Sequence, residues 1–173
     1  MHRVVVDSAD RRKGCAPILL TMSQTTSHAL LLLDAQRHQF ETSAAEISTA
    51  EPGSAPPGSA AHRLATWRSA VGQARRSGVL VVFLQRDGEV GSGLEPLTRG
   101  WTIHPDFRIE DGDVLLRVGA DDAFAGGTLN LELRSRGVSS LSVMALPGTG
   151  QATGRGAQQA GFEVRAWPVQ VLS

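Results

Sequence analysis

Few residues in this chain are placed to do chemistry, and two kinds are almost missing. Asp34 closes the apolar run Ala29-Leu30-Leu31-Leu32-Leu33, and Gln36 follows two positions later. A short unbroken apolar run reads as a strand buried on both faces of a parallel sheet. A carboxylate where such a strand leaves the core stands at the mouth of an α/β crevice, where ligands bind in open sheets. There it can serve as a general acid or base, or as a hydrogen-bonded strand end. Lys13 is the only lysine and Cys15 the only cysteine, and both precede this strand. Any amine or thiol working beside Asp34 would have to come from that N-terminal segment.

The elements that must hold Asp34 follow from the pattern of the rest. Glu51-Pro-Gly-Ser-Ala-Pro-Pro-Gly-Ser59 is a loop composition. Residues 62–77 carry Leu64, Trp67, Val71 and Ala74 at helical spacing and are closed by Gly78. Strands are expected over 79–84, 113–118, 140–146 and 162–171, with helices over 128–136 and 151–160. Residues 86–112 show little periodicity, and a long ordered loop inside a compact domain is usually functional. Strands alternating with helices predict an α/β fold, a mostly parallel sheet sandwiched between helices as three α/β/α layers.

The 173 residues fit one domain with a sizeable core. Residues 1–21 have little periodicity and are expected to be a poorly ordered extension, with the domain proper over 22–173; Met1 and Met22 are both candidate starts. A formal net charge of zero gives no electrostatic case for nucleic acid or an anionic membrane. No apolar run approaches the ~20 residues of a membrane span. One cysteine forms no internal disulfide and fits a reducing compartment, so the expected location is cytoplasmic. His2, His28, His38 and His62 lack metal-ligand spacing, and no cofactor is expected. Thr149-Gly-Gln-Ala-Thr-Gly-Arg-Gly156 looks like a dinucleotide turn, but such a turn belongs in a first βαβ unit, and here the chain is nearly over.

Four segments, in order, resemble the isochorismatase-like hydrolases, the cysteine hydrolase superfamily. They are Leu31-Leu-Leu-Asp-Ala-Gln36, Gly100-Trp-Thr-Ile-His-Pro105, Asp122-Ala-Phe-Ala-Gly-Gly-Thr-Leu129, and the strand Arg136 to Leu146 that would feed a nucleophile elbow. The resemblance covers about residues 28–171 and implies a triad: an Asp as acid or base, a Lys beside it, and a Cys at a helix N-terminus. A neighbouring cation and a helix start both favour thiolate, the attacking form.

Mapped onto that triad, this sequence keeps Asp34. The Lys position falls on Val118; Arg117 is adjacent, but successive strand side chains point to opposite faces. The Cys position falls near Thr149 or Gln151, and matching Arg155-Gly156 and Gly161–Val164 to the last helix favours Thr149. Thr149 also reads as a helix N-cap. Gln36, Trp101, His104 and Phe124 are the residues the resemblance places at a substrate. Trp101 and His104 read equally as a turn covering the sheet edge. The expectation is a protein that has lost hydrolysis and binds a small carbonyl or carboxylate compound, or assembles with further copies of itself. The alternative is a hydrolase using Asp34 as general acid and water as nucleophile.

Overall fold

A computed structural model describes residues 27–41 and 58–167. The extension 1–21, both candidate starts, Cys15, most of the Pro/Gly-rich stretch and the end of the last expected strand lie outside these residues.

Five strands form one parallel sheet in the order β3-β2-β1-β4-β5. They are β1 (His28–Leu33), β2 (Leu80–Arg86), β3 (Val114–Val118), β4 (Ser140–Met144) and β5 (Glu163–Val164). The helices are α1 (Arg37–Glu41), α2 (Ala60–Arg76), α3 (Thr128–Ser135) and α4 (Gln151–Gln159). The α/β sandwich is therefore as expected. The last strand is shorter than its apolar pattern suggested, and β2 is longer at its C-terminal end, running through Gln85 and Arg86.

Burial explains the central run. Leu30, Leu31 and Leu32 are fully buried, each contributing about 1.5–3 kcal/mol of apolar transfer. Alternation sends them to two cores. Leu31 and Leu33 join Val82, Leu84, Val114, Leu129, Leu133, Leu141 and Phe162 beneath α3 and α4. Leu30 and Leu32 join Val81, Phe83, Trp67, Val71, Phe40 and Phe107 beneath α1 and α2. Helix α2 starts at Ser59, whose hydroxyl accepts from the His62 N–H at 3.2 Å.

The chain moves from β1 outward to β2 and β3, then returns to place β4 on the other side of β1. This reversal opens a crevice beyond the C-terminal ends of β1 and β4. The β2–β3 connection contains only one short 3-10 turn, Pro105–Phe107, among the elements described. It is nevertheless stitched to the exit of β1. Arg37 N–H donates to the Thr102 carbonyl at 2.8 Å, His38 N–H to Gly100 at 3.0 Å, and His104 N–H to Ala35 at 2.9 Å.

Candidate functional site

Asp34 stands at that crevice. It is the first residue beyond β1, 2% exposed, with φ +61°. Asp is among the few residues that tolerate this left-handed geometry. The turn reverses the side-chain alternation and aims the carboxylate toward the loop after β4. There Thr149 Oγ1 donates its single proton toward Asp34 Oδ2 at 2.7 Å, with the Leu146 carbonyl a second acceptor at 2.9 Å. The predicted pairing of Asp34 with Thr149 is thus a direct contact. The N-cap reading of Thr149 is corrected: the cap of α4 is Gly150, without a side-chain bond, and the Thr149 hydroxyl turns to Asp34 instead. Gly150 must be small, since a Cβ there would lie 2.8 Å from Ala145 Cβ.

Val118 sits as the register predicted. It packs with Leu116 and Val114 on the α3/α4 side of the sheet. Arg117 points to the other face, donating to Asp87 at 2.6 Å and lying over the Trp101 ring at 5.2 Å. Arg117 is therefore no substitute cation for Asp34. A different cation does approach Asp34, from β2. Arg86, the last residue of β2, brings its Nε to 3.9 Å from Asp34 Oδ1, while its Nη1 donates to Asp121 at 3.0 Å. The clue lay in parity. Arg86 follows Val82 and Leu84 at steps of two, so a strand two residues longer than its apolar run presents Arg86 on the same face.

Asp121 is placed by α4. The fully buried Thr153 accepts from Ala123 N–H at 3.2 Å and donates to the Asp121 carbonyl at 3.1 Å. The Asp122 carboxylate caps Phe124 N–H at 2.9 Å and lies so close to Gly156 that a Cβ there would meet it at 2.2 Å.

The other predicted contacts are engaged structurally. Gln36 is fully buried; its Oε1 accepts from Arg86 N–H at 2.9 Å, and its Nε2 donates to the carbonyls of Arg86 at 2.9 Å and Trp101 at 2.8 Å. The Trp101 carbonyl also accepts from Gln85 at 2.9 Å, and its indole N–H donates to Asp87 at 2.9 Å. Hydrogen bonding and charge from Arg117 hold the Asp87 carboxyl below its ordinary range. His104 Nδ1 accepts from Asp106 N–H at 3.3 Å, its ring edges against Phe40 at 5.6 Å, and burial lowers its pKa. Phe124 packs on Phe162 at 5.6 Å inside the α3/α4 core. Among the described residues, no three His, Cys, Asp or Glu side chains gather to hold a metal.

Comparisons place the fold. No protein-family model matches the chain. Over 76 residues it is 38% identical to a streptothricin hydrolase from Streptomyces noursei, a match covering 44% of this chain and 30% of that protein. The chain thus spans less than a third of that relative. An isochorismatase from Pseudomonas putida superposes with TM-score 0.63 at 19% identity, over 81% of this chain and 68% of that one. An N-carbamoylsarcosine amidase from Thermoplasma acidophilum gives 0.60 at 18%, over 80% and 79%. A cysteine hydrolase from Pseudomonas syringae gives 0.62 at 16%, over 82% and 70%. The five-stranded parallel α/β sandwich is the fold of the isochorismatase-type hydrolases.

Proposed function

We propose that this chain is a catalytically degenerate protein on an isochorismatase-type scaffold. In this reading its crevice at Asp34 holds a small carbonyl or carboxylate compound without covalent catalysis, and copies of the chain assemble with one another. One observation carries it: the residue at the expected thiol position is Thr149, whose hydroxyl is bonded to Asp34 at 2.7 Å. The Asp34 carboxylate is within reach of that proton, but a hydroxyl, unlike a thiol, has no accessible anionic form near neutral pH, and among the described residues no histidine or lysine is bonded to Thr149 to activate it. Here Leu146 and Asp34 both draw on the same proton. Among the described residues the nearest approach of a cation, 3.9 Å, is beyond hydrogen-bond length. Among the described residues no helix is long and apolar enough to cross a membrane.

The test is an assay of the purified full chain against isochorismate, nicotinamide, N-carbamoylsarcosine and streptothricin, with Asp34→Asn as the control. The expected result is no turnover above that control, with binding of at least one carbonyl or carboxylate compound detected by calorimetry and lost in Asp34→Asn. Turnover that disappears in Asp34→Asn would overturn the proposal in favour of an acid-catalysed hydrolase. Light scattering reads the assembly state, and a monomer at high concentration would remove the assembly half.

A further inference from the structure

We infer that Arg86 is the positioning residue of the Asp34–Thr149 pair, supplying from β2 the positive charge that β3 cannot deliver. The inference stands on geometry and does not depend on whether the native chain turns over any substrate.

Three observations converge. First, Arg86 and Val118 are register partners across β2 and β3, and both present their side chains to the α3/α4 face. Adjacent strands lie about 4.8 Å apart, so a cation on β2 starts one strand spacing nearer to Asp34 than one on β3 would. Second, the guanidinium is under-used. Of its five N–H donors, one bond is made among the described residues, from Nη1 to Asp121. Asp121 is 82% exposed, so that contact is a solvent-side tether of small worth. Third, Asp34 is nearly buried, and its Oδ1 faces the Arg86 Nε–H at 3.9 Å, an ion-pair distance longer than a hydrogen bond. A carboxylate in such a place is costly unless a cation compensates it. Arg86 is anchored at its backbone by Gln36 and at its tip by Asp121, and it spans from solvent to Asp34 between them.

A reporter thiol tests this without any substrate. In the full chain carrying Cys15→Ser, the change Thr149→Cys places a sulfur where the hydroxyl now meets Asp34. Only the thiolate displaces iodide from iodoacetamide, so the alkylation rate reads the charge balance at the site. Adding Arg86→Gln leaves Asp34 uncompensated beside the sulfur. The rate at neutral pH should then fall about tenfold and its pH profile should move to higher pH. Val118→Lys should restore the rate in the Arg86→Gln background, because a cation from β3 faces the same site. A merely structural arginine would change stability but not the profile. An unchanged profile in folded Arg86→Gln protein would overturn the inference. Should that variant not fold, Asp121→Asn serves, since it releases the tip of Arg86 toward Asp34 without touching the core. It should speed alkylation, and an unchanged or slower rate would overturn the inference equally.

Discussion

Two arginine–aspartate pairs stand at opposite ends of the sheet, and they are built for different purposes. At the N-terminal end, Arg75 of α2 donates to both oxygens of Asp113, to Glu110 at 2.8 Å, and to the carbonyls of Phe107 at 3.2 Å and Arg108 at 2.8 Å. Asp113 answers by accepting from Glu110 N–H at 2.9 Å. At the C-terminal end, Arg86 meets Asp34 only at 3.9 Å and keeps most of its donors unused. The first pair is saturated and acts as a lock. The second is unfinished, and an unfinished pair is what a ligand or a reacting group can complete. A cleft of about 790 Å³ opens beside the saturated pair, lined by Arg75, Glu110, Asp113, Arg134 and Arg136. Its size does not make it the site. Arg134 is bonded to the Ala160 carbonyl and lies over Phe162, and Arg136 is bonded to Glu132.

Breaking the two pairs should separate them most clearly. Arg75→Ala leaves the nearly buried Asp113 carboxylate without its cation and the Phe107 carbonyl without its side-chain donor, and should cost about 2–3 kcal/mol in a urea titration. Arg86→Gln should cost less than about 1 kcal/mol, since its one hydrogen bond is exposed. Equal losses would mean that both pairs are locks.

Next in size is Gly156→Ala. The added Cβ would push on the Asp122 carboxylate and shift the loop that carries Asp121, with a loss of about 1–2 kcal/mol by thermal unfolding. No loss would show that the loop gives way without strain. Thr149→Val removes the hydrogen bond to Asp34 and should cost about 1 kcal/mol, whereas Thr149→Ser should be near neutral.

The smallest effect concerns the histidines at the two ends. His28, bonded to Ser140 Oγ at 2.8 Å and Ser142 Oγ at 3.1 Å, and His104 above the crevice both have pKa values lowered, chiefly by burial. Below about pH 6.5 the unfolded chain therefore takes up protons that the folded chain refuses, and stability falls as pH falls until the folded values are reached. Urea midpoints measured from about pH 7.5 down to about pH 5.5 should decline, and His104→Gln should flatten part of that slope. A midpoint that rises on acidification would contradict the direction.

The pattern of apolar runs made the sheet and the acid at its mouth legible. Leu30 to Leu33 could be nothing but a central strand, and a carboxylate ending it had to face the crevice. The link from Asp34 to Thr149 was legible only through the resemblance, because residues 115 positions apart in sequence share no local pattern. Gln36 and Trp101 show why a role is hard to read from residue type. Polar and aromatic side chains near a crevice look alike in sequence whether they face a ligand or tie down a loop. Here their bonds tie residues 100–104 to the strand exits. Arg86 was missed because the apolar run of β2 stops at Leu84, and the polar Gln85 and Arg86 that continue the pairing with β3 do not extend that run.

Gln36 adds to that pairing on the β1 side, and its amide does a main chain's job. By offering one acceptor and one donor to the two peptide groups of Arg86, it adds a counterfeit rung where β1 has already turned away. The ladder outlasts the strand beside it. Strand β2 thus carries its last residue, Arg86, past the paired end of β1 and level with the turn at Asp34.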